Sequence, residues 1–388
     1  MIEPWLESHH DELVAFRRHL HAHPEPSGKE QETTVFIAER LEVAGLETRV
    51  LTSGTGLLCD FGEGDGPIVA LRADIDALEM DDEKTVHYRS QHPGVAHACG
   101  HDVHTTVVLG TGIYLAQLGA ELGGRVRLIF QPAEERVPGG ALDVIADAGL
   151  AEVGTVLGVH CDPKLDVGRI GLRSGPITAA ADMAELVVTG PGGHTARPEE
   201  TVDMVYLAAR IVHELPHRVA AELGGDSGLF KLVFGSVQSG EAANVIPTHA
   251  VLRATVRTRS MDTWQALPAA FERAAAALVA EAGADAEVVY THGVPPVDND
   301  PDVTALVEQV ASRELSPAAI TGAIQSWGGD DFAWYLQRAP GTYIRLGTHD
   351  PDSPNDRFDL HVGHFDVDER AIAVGIRVLS AAALARLA

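Results

Sequence analysis

The chain has 388 residues, of which 45% are hydrophobic and 22% charged, and its formal net charge is -27. This length exceeds what one hydrophobic core usually organises, so we expect two domains with the composition of ordinary globular protein. The acidic excess argues against nucleic acid and against an anionic membrane surface as partners, because both require a basic protein surface.

The cysteines and the N-terminal sequence indicate the cellular compartment. Cys59, Cys99 and Cys161 are too few, and odd in number, for a disulfide framework, which is typical of a reducing compartment. The first residues lack the basic region and apolar stretch of a signal peptide, and no apolar run approaches the ~20 residues of a membrane helix. The sequence therefore predicts a cytoplasmic protein.

Apolar periodicity predicts alternating strands and helices over the first 180 residues. The predicted helices cover residues 5–22, 30–44, 103–119 and 139–148, and the predicted strands cover 48–52, 57–61, 68–72, 125–130 and 155–159. The apolar run at 68–72 is expected for a strand buried on both faces. Strands that alternate with helices indicate an α/β fold with a largely parallel sheet and helices on both faces.

The pattern changes near residue 180, where Ala179 to Ala181 form an apparent joint of small residues. After it we predict strands at 184–189, 231–237, 249–258 and 286–291, and helices at 200–215 and 262–281. This β-α-β-β-α-β order is typical of an α+β ferredoxin-like sandwich. Prolines at 295–301 mark an exit, after which a helix at 301–313, a strand at 342–346 and a helix at 367–387 are predicted. We therefore predict one domain formed by residues 1–180 and 294–388, and an inserted domain at 181–293.

Metal-ligand side chains concentrate in residues 97–104, His-Ala-Cys-Gly-His-Asp-Val-His. Gly100 permits a tight turn, so that the thiolate of Cys99 and the imidazole of His101 can face one point. Such a pair suits a borderline-soft divalent metal, although for this segment alone a histidine-rich turn with a buried thiol is an equal alternative. Further ligand-type residues stand where predicted strands end or in loops: Asp74, Glu134, Glu135, His160 and His361.

The tandem Glu134-Glu135 has a specific chemical use beside a metal. One carboxylate can bind the ion while its neighbour acts as a base, which metal-assisted hydrolysis requires. Two divalent ions with one bridging ligand would need about five such side chains, and the thiolate of Cys99 can bridge. An isolated Glu-Glu pair, by contrast, is most often a solvated turn.

Seven motifs stand in one order along nearly the whole chain. They are Arg72-Ala-Asp-Ile-Asp-Ala-Leu78, His97-Ala-Cys-Gly-His-Asp-Val-His104, Phe130-Gln-Pro-Ala-Glu-Glu135, Gly158-Val-His160, Gly192-Gly-His-Thr-Ala-Arg-Pro198, Asn244-Val-Ile-Pro247 and Leu360-His361. In this order they resemble the aminoacylase-like metallopeptidase family. Together with Phe16-Arg-Arg-His-Leu-His-Ala-His-Pro-Glu25 they resemble its amidohydrolase branch, which cleaves hippurate and auxin–amino acid conjugates. The resemblance implies a di-metal catalytic domain with a mixed, mostly parallel sheet, interrupted by a smaller lid domain through which two chains dimerise.

The resemblance also implies a ligand set for two divalent ions. Cys99 would bridge the ions, His101 and His160 would complete the ligands of one ion, and Glu135 and His361 those of the other. The donor types suit Zn, Mn, Co or Ni.

Three further roles follow from the resemblance. Glu134 would be the general base that takes a proton from a metal-activated water and passes it to the leaving amine. Asp74 would orient a metal-bound histidine, and His194 of the lid would reach the partner subunit's site and stabilise the tetrahedral oxyanion. Five other histidines are expected to be structural or solvated: His92, His97, His104, His349 and His364.

Candidate residues for substrate binding lie in the inserted domain. Along the strand at 249–258, apolar residues alternate with Arg253, Thr255 and Arg257. An arginine suits a carboxylate because its guanidinium donates two parallel hydrogen bonds. We expect Arg257, together with Asn244, to bind the substrate's carboxylate, and Arg253 to lie on a solvated sheet face.

The sequence thus predicts a cytoplasmic homodimeric enzyme that hydrolyses N-acyl amino acids, with N-acetyl, benzoyl or indolyl acyl groups. One alternative is a dipeptidase or aminopeptidase on the same scaffold, which must accept a free α-amino group. The other is a protein that binds acyl-amino acids without turnover. Two residues depart from the family pattern: Glu79 stands where the branch has proline, and Asp330 where the family has the longer glutamate.

Overall fold

The computed structural model describes residues 2–225, 228–353 and 357–388. In these ranges the α-helices are α1 (Glu3–Ala22), α2 (Gln31–Val43), α3 (His101–Gln117), α4 (Ala141–Ala146), α5 (Met204–Glu222), α6 (Met261–Glu281), α7 (Pro301–Glu314), α8 (Ala333–Leu336) and α9 (Arg370–Leu387). The strands are β1 (Thr48–Val50), β2 (Leu57–Gly62), β3 (Ile68–Asp74), β4 (Arg125–Gln131), β5 (Val153–Asp166), β6 (Ile170–Leu172), β7 (Gly175–Pro176), β8 (Ala180–Thr189), β9 (Gly193–His194), β10 (Phe230–Gln238), β11 (Val245–Ile246), β12 (His249–Thr258), β13 (Asp285–Val294), β14 (Asp298–Asn299), β15 (Ile320–Gly322) and β16 (Gly341–His349). None of the helices in the described ranges is long and apolar enough to cross a membrane.

The chain divides into two compact units. The large unit comprises Met1–Ile177, Val297–Ile324 and Asp331–Ala388, and the small unit comprises Thr178–Pro296 and Gln325–Asp330. The small unit thus includes a short late segment in addition to its main stretch. The roles of the inserted residues 181–293 as a lid and as a dimerisation domain stay predictions.

The large unit is built on an eight-stranded sheet in the order β1-β2-β4-β3-β5-β16-β6-β15. The central strands β4, β3, β5 and β16 are parallel, and the antiparallel pairs are β1–β2, β2–β4 and β16–β6. Val69 and Leu71 pack into a core with helices α1, α3, α7 and α9, whereas Ala70 packs into a second core with α4 and α8. The sheet is therefore covered on both faces, which confirms the predicted mixed, mostly parallel α/β fold.

The carboxyl ends of the central strands place polar side chains in one region of the large unit. The fully buried β3 ends at Asp74, and β4 ends at Gln131, shortly before Glu134. We expected the strand at 155–159 to end in His160, and this is wrong, because β5 continues to Asp166. Its pairing with β16 extends from Val156 opposite Gly341 to Asp166 opposite His349. His160 therefore projects from within a paired strand, which fixes its backbone.

The small unit contains a four-stranded antiparallel sheet in the order β10-β12-β8-β13. Helices α5 and α6 pack on it through a separate apolar core. This order, with its β-α-β-β-α-β connection, is the ferredoxin-like arrangement that the sequence predicted. We expected Ala180 and Ala181 to lie in a joint outside any strand, and this is wrong. Both residues begin β8 and pair with Thr258 and Arg257 of β12.

Candidate active site and metal centre

A left-handed turn separates Cys99 from His101. Gly100 has φ +90° and precedes helix α3, and a Cβ at this position would lie 2.7 Å from the Sγ of Cys161. A side chain fits here neither sterically nor conformationally. The turn therefore requires glycine. It places Cys99 directly before the turn and His101 at the first position of helix α3.

The imidazole of His101 is oriented by Asp76. Its Nδ1 lies 2.8 Å from the carbonyl oxygen of Asp76 and 3.2 Å from the carboxylate Oδ1, and both oxygens only accept, so Nδ1 carries the proton. The opposite nitrogen, Nε2, is buried and has no hydrogen-bond partner within the described residues. It lies 3.9 Å from both Glu134 Oε2 and Glu135 Oε1. Nε2 thus faces two carboxylates across a gap, where a metal ion can take the place of a proton on this nitrogen.

The electrostatics around His101 also favour a cation. Burial opposes protonation, but the carboxylates of Asp74, Asp76 and Glu135 raise the pKa of His101 to about 10. Burial, together with Glu135 and Glu134, holds the pKa of the Cys99 thiol well above its usual value. A thiolate in this environment needs a neighbouring cation, and a bound metal ion supplies one.

His160 directs toward the Cys99 thiol the ring nitrogen that is not used in a hydrogen bond to the backbone. Its Nδ1 donates to the carbonyl oxygen of Cys161 over 2.7 Å, and its Nε2 lies 3.6 Å from Cys99 Sγ. Burial holds the pKa of His160 well below its usual value, and the charge of Arg345 acts in the same direction. The ring is therefore neutral, with the Nε2 lone pair directed toward Cys99.

The remaining predicted ligands lie in the same place. One ligand atom each from Cys99, Glu135 and His361 lie within 4.8 Å of one another, and so do those of His101, Glu134 and Glu135. His361 Nε2 is 3.2 Å from Glu135 Oε1, a contact that raises the pKa of His361. The structure thus gathers the five predicted metal ligands and Glu134. Thiol, imidazole and carboxylate donors with an unpartnered buried nitrogen fit divalent metal ions.

The structure corrects the predicted partner of Asp74. Asp74 Oδ1 lies 2.6 Å from Nδ1 of His104, and Nε2 of His104 accepts a hydrogen bond from the backbone N–H of Cys161 at 2.8 Å. Asp74 therefore supports β5 beside His160 through His104, while Asp76 is the residue bonded to His101. Sequence reasoning missed Asp76, although the Asp-x-Asp pattern after β3 contained it.

Two buried side chains anchor the loop that carries the tandem glutamates. Oε1 of Glu30 accepts from the backbone N–H of Ala133 at 2.8 Å, and Asp76 Oδ2 accepts from the backbone N–H of Glu135 at 3.0 Å. Ala133 has φ +54°, an unfavourable conformation for a residue with a side chain. The anchoring by Glu30 offsets this cost and was not predicted from the sequence.

A fully buried arginine connects the strand ends. Arg72 Nη1 lies 2.5 Å from Asp74 Oδ2, and Arg72 Nη2 lies 2.9 Å from Asp331 Oδ1. Gln131 Nε2 donates to the two oxygens of Asp331 at 2.8 and 2.7 Å, and its Oε1 accepts from Tyr335 at 2.8 Å. This network ties β3 and β4 to the segment that precedes α8.

A second buried network explains the N-terminal motif. Arg17 Nε and His21 Nδ1, both from α1, lie 2.7 Å from Asp102 Oδ2, and all three residues are fully buried. Arg17 also contacts Asp366 and Glu369 at 3.2 and 3.3 Å. Burial disfavours the charge of Arg17, but Asp102 and Asp366 raise its pKa above the usual value. Helix α1 is thereby fixed to the residue that follows His101.

The other predicted residues lie in the small unit. His194 in β9 is exposed, pairs with Val245 of β11, and accepts at Nδ1 from the backbone N–H of Ala196 at 3.0 Å. The exposed Asn244 directly precedes β11, so this two-stranded pairing brings His194 and Asn244 together. Arg257 is half-buried near the end of β12.

The histidines predicted to be structural or solvated vary in their surroundings. His92 Nδ1 bonds to the carbonyl oxygen of Pro24 at 2.9 Å, and His364 Nδ1 lies 3.6 Å from Glu83. His97 is buried without a side-chain hydrogen-bond partner in the described part of the chain, and burial lowers its pKa to about 3.

Comparisons with known proteins identify the family of this chain. Residues 70–385 match the model of peptidase family M20/M25/M40. An N-acetyl-L-cysteine deacetylase of Bacillus subtilis is 36% identical, over 93% of this chain and 85% of its own length. An N-acyl-L-amino acid amidohydrolase of Geobacillus stearothermophilus is 38% identical, over 74% of this chain and 78% of its own. A longer Rhodococcus jostii protein, named for a glutamate–cysteine ligase, is 41% identical over 97% of this chain, which spans only 47% of that protein.

A solved structure of the same fold supports the family assignment. It is a Bacillus subtilis protein described as a dinuclear metal-binding peptidase of the M20 family, with a TM-score of 0.87 and 35% identity. The match covers 98% of this chain and 99% of the other. The chain therefore belongs to peptidase family M20/M25/M40, and it is an amide-hydrolysing enzyme of that family.

Proposed function

We propose that this enzyme hydrolyses the amide bond of N-acyl amino acids to a carboxylate and a free amino acid. The observation that carries the proposal is the buried, unpartnered Nε2 of His101, among the described residues, which faces Glu134 and Glu135. Names of relatives add support, because a deacetylase and an amidohydrolase of acylated amino acids share more than a third of their aligned residues with this chain.

Two divalent metal ions are part of the proposal. Cys99 would be shared by the two ions, His101 and His160 would hold one ion, and Glu135 and His361 would hold the other. When bound, the ions would polarise the substrate's carbonyl group and lower the pKa of the attacking water. Zn, Mn, Co and Ni all suit these donors.

Glu134 is the proposed general base. It takes a proton from the water as the new C–O bond forms, and it delivers a proton to the amine nitrogen as the C–N bond breaks. The position of its Oε2, 3.9 Å from His101 Nε2, supports this role because a base must stand beside the metal site without filling it. Asp74 would act only indirectly, through His104.

The small unit supplies the proposed substrate contacts. Arg257 and Asn244 would bind the carboxylate of the substrate, and His194 would donate a hydrogen bond to the oxyanion of the tetrahedral state. The exposure of His194 supports a role at a partner subunit's site, so we also propose a homodimer formed through this unit. A cytoplasmic location stays a prediction.

Metal analysis combined with a substrate panel tests the proposal. The panel contains N-acetyl, N-benzoyl and indolyl amino acids, together with dipeptides that have a free amino terminus. We expect Cys99→Ala to lose both metal and hydrolysis, whereas Cys59→Ala, which removes another buried thiol of the large unit, keeps both.

The second variant addresses the base. Glu134→Ala should keep the metal and lose about 10²- to 10⁴-fold in kcat, the usual contribution of a general base. Full activity in Glu134→Ala would exclude the mechanism. Turnover of the dipeptides alone would establish the alternative, a dipeptidase or aminopeptidase.

A further inference from the structure

Three cationic side chains share one face of the small-unit sheet. Lys231 of β10 stands directly opposite Arg257 of β12, and Arg259 follows Arg257 by two positions, just beyond the end of the strand. Opposed residues, and residues two positions apart, project to the same side of a sheet. We call these three residues and Trp327 the cationic cluster.

The indole of Trp327 holds two of these cations in place. Lys231 Nζ lies 4.2 Å and Arg259 Cζ 4.3 Å from the ring centroid. The negative face of an indole attracts cations, so it offsets the repulsion between the two charges. Arg259 Nη2 donates to the carbonyl oxygen of Gln325 at 3.0 Å, and Gln325 Nε2 donates to the carbonyl oxygen of Arg259 at 2.9 Å. The cluster is therefore ordered before any ligand binds, which lowers the cost of binding.

The charges of the cluster are not neutralised. Within the described residues, no carboxylate forms an ion pair with Lys231, Arg257 or Arg259, although the formal net charge of the chain is -27. The Nε of Arg259 is buried and also lacks a hydrogen-bond partner among these residues. Arg253, on the same strand, lies 2.5 Å from Glu185 and shows the ordinary case of a paired arginine. Lys231 is exposed, but Arg257 and Arg259 are partly buried, and partly desolvated cations without an ion pair are costly unless an anion binds them.

The space beside Arg257 is kept clear by a glycine. A Cβ at Gly329 would lie 3.5 Å from Arg257 Nη1 and 2.9 Å from both the Cβ of Ala181 and Cγ2 of Val294. The backbone of this segment therefore passes close to the guanidinium without a side chain beside it. Burial lowers the pKa of Arg257 below its usual value, and Asp182 only partly opposes this effect.

We propose that Lys231 and Arg259 of the cationic cluster bind the second carboxylate of a dicarboxylic substrate, so that N-acyl derivatives of glutamate or aspartate are preferred. This inference rests on the proposed function, in which Arg257 binds the α-carboxylate. The side-chain carboxylate then accepts hydrogen bonds from the ammonium group of Lys231 and from the guanidinium of Arg259. Charge-assisted bonds of this kind are stronger than bonds to a neutral amide.

Matched substrate pairs provide the test. The pairs are N-acetyl-L-glutamate with N-acetyl-L-glutamine, and N-acetyl-L-aspartate with N-acetyl-L-asparagine, because the members of each pair differ mainly in charge. We expect kcat/KM of the wild-type enzyme to be about tenfold higher for each acid than for its amide. Lys231→Met and Arg259→Gln should each abolish most of this preference through KM, and change the amides by less than about twofold. Arg253→Gln, on the same strand, should leave both substrates unchanged.

Two kinetic results would overturn the inference. One is equal kcat/KM for acid and amide in the wild-type enzyme. The other is an equal loss for acid and amide in Lys231→Met and Arg259→Gln, which would show that the cluster only holds the segment that contains Trp327.

A binding measurement separates this inference from the proposed function. Glutarate is a dicarboxylate without an amide bond, so calorimetry can follow its binding whether or not the enzyme hydrolyses any N-acetyl amino acid. We expect glutarate to bind the wild-type protein about tenfold more tightly than either Lys231→Met or Arg259→Gln. Equal affinity in all three proteins would exclude the site, whereas a lack of turnover with every acylated amino acid would exclude the proposed function.

Discussion

Two fully buried arginines of the large unit differ from one half-buried arginine of the small unit in how their charges are neutralised. In the large unit, Arg17 and Arg72 are completely buried, and each lies between carboxylates at hydrogen-bond distance. In the small unit, Arg257 is half-buried and forms no ion pair within the described residues. A buried arginine that is paired inside the protein fixes geometry, whereas an arginine without an ion pair is available to bind an anion. The paired, fully buried arginines thus belong to the large unit, and the residues that we propose for substrate recognition belong to the small unit.

Removal of a complete buried pair should have the largest effect on stability. Arg72→Met leaves Asp74 and Asp331 buried without their cation, so we expect the free energy of unfolding to fall by about 3–5 kcal/mol. Urea unfolding of the variant measures this loss. The control is Arg257→Met, which removes a cation without an ion-pair partner and should change the same quantity by less than about 1 kcal/mol. Equal losses in both variants would contradict the distinction between the two units.

Asp82 shows how pH affects a buried charge of the large unit that has partners inside the protein. Burial raises its pKa, but hydrogen bonds from His21, Ser90 and Lys84 outweigh this effect and hold the pKa of Asp82 well below its usual value. A carboxyl with a lowered pKa in the folded state stabilises the protein above its unfolded pKa, near 3.9, and this stabilisation is lost as the pH falls further.

We therefore expect Asp82→Asn to be less stable than wild type by about 2 kcal/mol at pH 7. The difference should shrink as the pH falls below about 4. Unfolding curves of both proteins at pH 7, 5 and 3 measure it. A difference that stays constant over this range would show that Asp82 acts through packing and not through its charge.

Asp76 tests whether the geometry around His101 matters for metal binding. Asp76→Asn keeps the backbone oxygen that accepts from His101, but it removes the negative charge beside the ring. We expect metal affinity to fall about tenfold, the lower end of the usual effect of such supporting residues. Competition with a chelator measures the affinity. Ser27→Ala, which removes one hydrogen bond to the same carboxylate, should have a smaller effect, and the reverse order would contradict this role of Asp76.

The smallest effect is expected for paired charges on the surface of the small unit. Glu214 accepts hydrogen bonds from Arg210 and Arg218, which lower its pKa to about 2, but its side chain is only partly buried. Such pairs contribute little because water and salt screen them. Glu214→Gln should shift the thermal midpoint by less than about 2 °C. A fall of more than about 5 °C in a thermal scan would show that this ion pair at the surface stabilises the protein as strongly as a buried one.

Periodicity predicted much of the fold, and motif order named side chains that the structure gathers around His101. Strand β12 begins and ends as predicted, because apolar residues alternate with polar residues along most of its length and its burial alternates throughout. Ala180 and Ala181 were misassigned because small residues carry no periodic pattern, and only their pairing with β12 makes them a strand. The continuation of β5 past His160 likewise depends on β16, a partner from a remote part of the sequence.

The errors within the site have a similar origin. Asp74 and Asp76 both follow the same apolar run, and sequence spacing alone does not determine which carboxylate faces His101. Glu30 and Arg17 belong to helices far away in sequence, and their contacts with Ala133 and Asp102 arise only from tertiary packing. Motifs identify the groups that do chemistry, whereas the groups that hold them require the three-dimensional structure.

The position of β16 has a consequence for synthesis of the chain. This strand lies between β5 and β6 in the large sheet, yet the ribosome makes it only after the whole main stretch of the small unit. Until then β5 has an open edge, and exposed edges of this kind invite pairing with other chains. The core of the small unit, by contrast, comes from one nearly continuous stretch of sequence. We therefore expect nascent chains that stop before Gly341 to contain a folded small unit beside an aggregation-prone, metal-free large unit.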